Sequence, residues 1–242
     1  MLKRDRQPEL MDDPALDRDQ HQLALAGLAR LNAFSGVSRA TYLHLRRYAK
    51  AIGNRPLRVI DVASGSGDVP ISWVQKAKRD GFQIELTMID FSQTAIDEQQ
   101  RLLGEASLTA RSLRMDCLQS PLPTGFDVAT CSLFMHHLDD HQAFRLLQSM
   151  QASTQHAMLI CDLERSRFNL ELVRFASRLL SRSHVVHNDA LLSVRAAYKR
   201  DEFKRLAEQA LARPVRVTGS FPSRFLATFE EEVVSDAVPA FA

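Results

Sequence analysis

The chain is poor in cysteine, in long apolar runs and in net charge, and each shortage excludes a class of protein. The three cysteines, Cys117, Cys131 and Cys161, form neither a disulfide framework nor a paired metal-binding motif. They indicate buried thiols in a reducing compartment. No apolar run approaches the ~18 residues that a membrane span needs. With 31 basic and 29 acidic residues, the net charge of +2 gives no reason to expect nucleic acid as a partner.

The two terminal segments are expected to lie outside the folded domain. Basic residues near the N-terminus are not followed by an apolar segment, which argues against a secretory signal and favours a cytoplasmic protein. Residues 1–14 are polar and expected to be loose, and residues 231–242 are expected to form a tail. The length of 242 residues favours one large domain, residues 55–230, preceded by an N-terminal helical cap, residues 1–54.

From residue 57 onward, short apolar segments alternate with segments of helical composition, which predicts parallel strands joined by helices. The five predicted strands are LRVIDVA, IELTMIDF, ARSLRMD, FDVATCSLF and HAMLICDL. Residues 214–220 and 223–230 predict two more strands with a turn between them. The pattern therefore predicts an α/β fold with a Rossmann-like, doubly wound, mostly parallel seven-stranded sheet and an antiparallel edge strand. N-terminal helices and a helical lid insertion over residues 165–212 complete the expected architecture.

The first strand ends in a loop of small residues, Asp61-Val62-Ala63-Ser64-Gly65-Ser66-Gly67. Pro70 stands where a dinucleotide fingerprint needs its third glycine, and no Gly-Lys-Ser/Thr follows, so neither that fingerprint nor a Walker loop fits. The loop resembles motif I of the class I S-adenosylmethionine-dependent methyltransferases, commonly D-x-G-x-G-x-G, with Ala63 as the one departure. Alanine keeps an ordinary backbone, so we expect weaker or slightly shifted binding at worst. Ala63 would matter only at a position that needs a positive φ or lies in contact with the ligand.

Three more elements of this resemblance follow in order, one in each βα unit. Asp90 ends the second strand, where a carboxylate can accept hydrogen bonds from ribose hydroxyls, and Phe91 can lie against adenine. The resemblance places an acid near the adenine amino group at Asp116, and it ends the fourth strand in a small residue and a His-His-Leu loop. It implies S-adenosyl-L-methionine as the cofactor. The residues expected to bind this cofactor are Asp61, Ala63, Ser64, Gly65, Gly67, Asp90, Phe91, Asp116, Cys117 and Ser132.

Several of these polar residues also have a purely structural interpretation. Asp61 can cap a loop, and Asp90 and Asp116 can stabilise turns. The histidine- and aspartate-rich segment 136–141 suggests a metal site, but a helix cap provided by Asp139 or Asp140 explains it better. No metal is therefore predicted.

The resemblance covers residues 57–165 and is nearest to small-molecule methyltransferases of the ubiquinone and menaquinone biosynthesis type. It implies methyl transfer to a small, phenolic or quinone-like lipophilic acceptor, with O-methylation favoured over C-methylation. A hydroxyl acceptor needs a base to take its proton, and the candidates are His137 first, then His136, then His187. Neighbouring residues of an extended segment point in opposite directions, so only one of the two adjacent histidines, His137, is expected to face the crevice.

The remaining segments are expected to shape the acceptor site. Residues 165–182 predict an amphipathic helix, either an ordinary surface helix or a lid over an apolar or anionic acceptor that could also touch a membrane surface. Residues 183–198 are expected to form a polar loop, either a wall of the site or a solvent-exposed loop capped by Asp189. The N-terminal helices could cover the other side or form a homodimer interface. Two other functions stay open: a methyltransferase that acts on RNA or protein, and a non-catalytic binding protein that has kept the fold.

Overall fold

The computed structural model of the protein describes residues 3–13 and 15–230, and the expected tail, residues 231–242, lies outside them. The described helices are α1 (Arg18–Phe34), α2 (Val37–Ile52), α3 (Asp68–Arg79), α4 (Gln93–Ala106), α5 (Asp140–Ser153), α6 (Arg167–Leu180), α7 (His184–Ala196) and α8 (Arg200–Leu211). The described strands are β1 (Leu57–Val62), β2 (Ile84–Asp90), β3 (Arg111–Arg114), β4 (Phe126–Ser132), β5 (Thr154–Leu163), β6 (Arg216–Ser220) and β7 (Arg224–Glu230). Within these residues, no helix is long and apolar enough to cross a membrane.

The strands form one sheet with the order β3-β2-β1-β4-β5-β7-β6. Strands β1 to β5 pair in parallel, and β7 runs antiparallel to both of its neighbours, β5 and β6. The predicted mostly parallel sheet with an antiparallel pair at one edge is therefore confirmed. Because β1 pairs with both β2 and β4, the strand order reverses there, and a ligand crevice is expected at the carboxyl ends of β1 and β4.

Two helical layers cover the faces of the sheet. On one face, α2 and α3 pack with the buried Trp73 against residues such as Val59. On the other face, α5 and α8 pack with Phe203 against residues such as Ile60. Val59 and Ile60 are neighbours in β1 and enter opposite cores, as the two-residue period of a strand requires. Burial of both faces explains why the strands read as nearly continuous apolar segments.

Helices α1, α6 and α7 contact one another and form a third group, which α1 joins to the first layer through contacts with α2, α3 and α4. The expectation of a polar loop over residues 183–198 is wrong, because Ser183 caps α7, which continues to Ala196. Val185 and Val186 are buried against Ala24 of α1. Polar residues interleaved with these apolar positions concealed the helical period in the sequence. Of the insertion predicted over residues 165–212, α6 and α7 join this group, whereas α8 packs with α5.

Residues 3–13 are held against the rest of the protein, so the expectation that this segment is loose is wrong for the described part. The Arg4 guanidinium donates hydrogen bonds of 2.6 Å to the Leu138 carbonyl and 2.7 Å to the Ala196 carbonyl. The Asp189 carboxylate of α7 accepts hydrogen bonds of 2.9 Å from the backbone amides of Leu10 and Met11. These partners are distant in sequence, so a local reading of a polar segment could not anticipate them.

A buried carboxylate fixes the amino-terminal side of the sheet. Asp127 near the start of β4 accepts hydrogen bonds of 2.7 and 2.8 Å from the Arg55 guanidinium and of 2.8 Å from the Arg58 backbone amide. Burial alone would raise the pKa of Asp127, but the hydrogen bonds from both arginines and the charge of Arg55 lower it from 3.8 to about 2. Asp127 therefore stabilises the fold in its ionised form.

We expect Asp127→Asn to lower the free energy of unfolding at pH 7 by about 1–2 kcal/mol, because partial exposure of both arginines reduces the full value of the depressed pKa. The contribution of Asp127 is complete above pH 3.8 and is lost as the pH falls through about 2. Urea unfolding of parent and variant between pH 7 and pH 2 measures this difference. Glu105→Gln, at an exposed ion pair, is the control and should change stability by less than about 0.5 kcal/mol. A difference that does not shrink in acid would contradict the prediction.

Candidate active site

The loop of residues 61–67 after β1 is called the glycine loop below. A cavity of about 540 Å³ opens among this loop, the carboxyl ends of β4 and β5, and helices α1, α6 and α7. Most of its wall is apolar. The apolar side chains from α1 and α6 are Leu25, Leu28, Leu31, Leu172, Val173, Ala176, Leu179 and Leu180. The polar residues on the wall come from the glycine loop, from the turn after β4, from the N-terminal segment, from β7 and from helices α1, α6 and α7. A mostly apolar cavity with a few convergent polar groups is typical of a small-molecule site.

The glycine loop after β1 makes a tight turn in which the Gly67 amide donates a 3.0 Å hydrogen bond to the Ser64 carbonyl. Gly65 has a φ of 55° and Gly67 a φ of 77°. At Gly67 a Cβ atom would lie 2.9 Å from the Met88 Sδ atom, so close packing of the helix on the sheet requires glycine there. At Gly65 a Cβ atom would meet nothing within 4 Å, so this backbone faces open space. The loop thus has the form expected of a ligand cradle.

Ala63 lies in the left-handed region, with a φ of 55°. The expectation that this alanine keeps an ordinary backbone is therefore wrong, and Ala63 occupies a position that favours glycine. Ser64 follows on the loop, where its hydroxyl donates a 2.8 Å hydrogen bond to the Asp61 carbonyl, and both Ala63 and Ser64 line the cavity.

We expect Ala63→Gly to raise the free energy of unfolding by about 0.5–1 kcal/mol. Relief of the left-handed alanine is worth ~1–2 kcal/mol, and the greater chain entropy of glycine offsets part of it. Ala63→Val should instead lower stability, because a β-branched residue is disfavoured at positive φ. Urea unfolding at neutral pH measures both changes. A glycine variant less stable than the parent would show that Ala63 is not strained.

Two acidic residues of the predicted cofactor site lie near this loop and are buried. Asp61, on the cavity wall, accepts a 2.6 Å hydrogen bond from the Thr130 hydroxyl, and burial raises its pKa to about 7. Asp90 accepts hydrogen bonds of 2.8 Å from the Gly65 amide and 2.9 Å from the Ser92 amide. Burial raises the pKa of Asp90, and the hydrogen bonds oppose this rise. Asp90 thus holds the glycine loop in place. This structural role is compatible with binding of ribose by the same carboxylate.

Three further predicted residues lie at the carboxyl ends of β2 and β3 and not on the cavity wall. Phe91 is 55% exposed beside Asp90. Asp116 is exposed and accepts a 2.8 Å hydrogen bond from the Leu118 amide, so it stabilises the turn after β3. The Cys117 thiol packs at the margin of the core, where burial raises its pKa to about 12. An adenine ring would have to bind on this open surface, outside the cavity.

Ser132 ends β4 and lines the cavity. Its hydroxyl oxygen is buried and has no hydrogen-bond partner among the described residues. Buried polar atoms are nearly always paired, so an unpaired one on a cavity wall indicates a polar ligand group that completes its hydrogen bonding.

The two adjacent histidines both line the cavity. Residues Met135–His137 form a 3₁₀ turn and not an extended segment, so the premise that only His137 faces the crevice is wrong. His136 Nδ1 lies 2.7 Å from a carboxylate oxygen of Asp162 at the end of β5, and the His136 amide donates a 3.1 Å hydrogen bond to the other oxygen. Burial alone would raise the pKa of Asp162, but the charge and hydrogen bond of His136 lower it. Asp162 is therefore ionised and accepts a hydrogen bond from the Nδ1–H group of His136.

Glu9 joins the two histidines from the N-terminal segment. Its carboxylate oxygens lie 4.0 Å from His136 Nε2 and 3.9 Å from His137 Nε2, and the Ser193 hydroxyl donates a 2.6 Å hydrogen bond to it. Burial raises the pKa of Glu9, and the histidines oppose this rise. Sequence reasoning missed Glu9, because it lies in a polar segment with no periodicity.

The same three residues have the donor set of a metal site, since one ligand atom from each lies within 4.8 Å of the others. Transition-metal sites also use two histidines and a carboxylate, often with a second carboxylate that is hydrogen-bonded to a ligating histidine, as Asp162 is to His136. The distances near 4 Å also suit a network that holds a proton. Removal of metal ions with a chelator distinguishes a metal site from a proton-holding network.

His187, the third candidate base, is not among the cavity-lining residues. It lies in α7, and its Nε2 atom is 2.8 Å from the Ser181 carbonyl, which connects α7 to the end of α6. This position removes His187 from the candidate bases.

A glycine loop and an imidazole–carboxylate pair on one cavity are typical of α/β enzymes that hold a cofactor beside a small substrate. Residues 59–156 match the methyltransferase domain family. A demethylmenaquinone methyltransferase of Deinococcus radiodurans is 32% identical over 94 residues, which are 38% of this chain and 37% of the relative. The match thus spans little more than a third of that protein's length.

Two solved structures extend the likeness to most of the chain. The plantazolicin methyltransferase BamL, in complex with a triazolic desmethylPZN analogue and SAH, has a TM-score of 0.60 at 18% identity, over 84% of this chain and 79% of its own. The magnesium protoporphyrin IX methyltransferase of Synechocystis PCC 6803, with bound SAH, has a TM-score of 0.53 at 14% identity, over 79% of this chain and 82% of its own. Residues 59–156 thus match a methyltransferase domain, and most of the chain has the fold of these S-adenosylmethionine-dependent methyltransferase structures. The resemblance inferred from the motifs is confirmed.

Proposed function

We propose that the protein transfers a methyl group from S-adenosyl-L-methionine to an oxygen of a small, lipophilic, phenolic or quinone-like acceptor. The observation that carries the proposal is that one mostly apolar cavity is lined by both the glycine loop and His136, whose ring is hydrogen-bonded to Asp162. The methionine part of the cofactor and the acceptor can therefore meet in the same cavity. The likeness to a demethylmenaquinone methyltransferase supports a quinone-like acceptor.

The described residues fit the cofactor. The open backbone at Gly65 and the unpaired hydroxyl of Ser132 suit its methionine part. The Asp90 carboxylate accepts two backbone hydrogen bonds and has capacity for ribose hydroxyls, because a carboxylate offers about four acceptor positions. Phe91 and Asp116 would bind the adenine on the adjoining surface. When bound, the cofactor supplies an electrophilic sulfonium methyl group.

The first test concerns Asp90. S-adenosylhomocysteine should bind the parent in calorimetry, and Asp90→Ala should weaken its affinity by about 1.5–3 kcal/mol, the value of a hydrogen bond to a charged group. Asp97→Ala, at an exposed ion pair of α4, is the matched control and should leave the affinity within twofold. Equal affinities of parent and Asp90→Ala would remove Asp90 from the site. A parent that binds nothing, together with an Ala63→Gly variant that does, would favour the non-catalytic alternative.

The acceptor's proton goes to His136 in this proposal. In its neutral form, His136 donates its Nδ1–H to the Asp162 carboxylate, so its Nε2 lone pair is available for the proton of a hydroxyl. Asp162 also stabilises the imidazolium that forms, as the acid of a catalytic triad does. His137 and Glu9 form the neighbouring polar wall, and His137 is the second candidate base.

We expect His136→Gln to lower turnover by ~10²–10⁴, the usual cost of losing a base, and to leave the affinity for S-adenosylhomocysteine unchanged. The acid limb of the pH–rate profile should flatten. Release of S-adenosylhomocysteine with an alkylphenol, an alkylcatechol and a hydroquinone as acceptors measures turnover. His141→Gln, at an exposed position, is the control, and His137→Gln should cost less than His136→Gln.

Chelation completes this test. Dialysis against EDTA should leave the turnover of the parent unchanged, because the mechanism uses no metal ion. Loss of activity in EDTA with recovery on adding Zn²⁺ or Mn²⁺ would show that Glu9, His136 and His137 bind a metal. That result would replace the histidine base.

Helix α6 supports a small acceptor over a macromolecule. Its inner side lines the cavity with Leu172 and Val173, while Phe168 and Phe175 are 67% and 81% exposed. One helix thus separates an apolar cavity from solvent and presents apolar side chains outside. We propose that α6 is a lid for a lipophilic acceptor. Contact of its outer side with a membrane surface stays a prediction.

A further inference from the structure

One cation on the cavity wall has no counter-ion. Arg224 begins β7 beside Leu163 of β5, is 7% exposed and lines the cavity. Its Nη1 atom donates a 3.2 Å hydrogen bond to the Ser35 carbonyl. Its Nε atom has no hydrogen-bond partner, and no carboxylate lies within 4.0 Å of the guanidinium among the described residues.

The nearby acidic group, Asp162, forms no direct ion pair with Arg224 at 4.0 Å or less. Asp162 is the carboxylate whose charge acts on it, but the ring and amide of His136 and the Leu163 amide already occupy the oxygens of Asp162. Burial accordingly lowers the pKa of Arg224. A buried charge is normally paired, and an arginine presents a planar fork of donors that fits a carboxylate.

We infer that Arg224 binds an anionic oxygen, a carboxylate or an ionised phenol-type oxygen, on the methyl acceptor. This inference rests on the proposed function and specifies its substrate class: an apolar body with one anionic group. The apolar wall from α1 and α6 would receive the body, and Arg224 would fix its orientation. Strand β7 is the third strand from β1, about 14 Å away at the usual strand spacing, so Arg224 lies on the side away from the glycine loop.

The test uses octanoate and 1-octanol, which share an apolar chain and differ in charge. Calorimetry should show that Arg224→Met binds octanoate at least about tenfold more weakly than the parent does, with 1-octanol affinity within twofold. The thermal midpoint without ligand should stay equal or rise, because methionine removes an unpaired buried charge. Arg39→Met, at an exposed position of α2, should change none of these values. Arg224→Gln serves as the second variant if Arg224→Met does not fold.

Three outcomes would overturn the inference. Equal octanoate affinity in parent and variants, including no binding in either, excludes an anion site. Loss of octanoate and 1-octanol binding together with a lower thermal midpoint assigns Arg224 a structural role. The third outcome is that the Arg224 variants bind S-adenosylhomocysteine more weakly than the parent does, but bind octanoate and methylthioadenosine, which lacks the carboxylate, equally well. That result assigns Arg224 to the cofactor. Octanoate binding needs no cofactor, so a parent that fails to bind S-adenosylhomocysteine would contradict the proposed function separately.

Discussion

The buried carboxylate of Asp162 connects the sheet to the site. It accepts hydrogen bonds from the His136 amide and the Leu163 amide, at 3.1 and 2.6 Å, and from the His136 ring at 2.7 Å. The end of β5 is thereby joined to the turn that follows β4. Because Asp162 is almost fully buried, its charge depends on these hydrogen bonds in place of water. The position of the imidazole is therefore set by the sheet itself, and the cavity forms around it.

The elements that follow local patterns could be predicted from the sequence. The parallel strands, the glycine loop and Asp90 at the end of β2 each depend on a few adjacent residues and on the rule that parallel strands end at one edge. The φ of Ala63 could not be predicted, because the side chain gives no sign of the backbone angle that the loop imposes. The alternation argument for the histidines failed for the same reason, since a 3₁₀ turn replaces the extended backbone that it assumed.

The acceptor side resisted prediction because its residues meet only through the tertiary fold. Glu9 comes from a polar N-terminal segment, Asp162 from β5 and Arg224 from β7, with no spacing that relates them. The cofactor motifs lie within single βα units, whereas the acceptor wall is assembled from both ends of the chain. This division has a physical basis, because a shared cofactor can be held by one local loop, while a particular acceptor needs a shape that several elements enclose.

The backbone strain of the protein supports the same placement of the site. Five residues other than glycine have a positive φ in the described chain, and two of them, Ser107 and Ala212, end helices, where that conformation is common. The other three, Ala63, Leu133 and Ser223, lie at the ends of β1, β4 and β7 that face the cavity or adjoin its wall. Left-handed backbone is costly for a branched residue such as leucine, and such costs persist where the surrounding structure fixes them, often at ligand sites. The three strained strand ends therefore lie at the same cavity as the unpaired hydroxyl of Ser132 and the cation of Arg224. A bound ligand could pair with the hydroxyl and the cation, but it could not relieve the backbone strain.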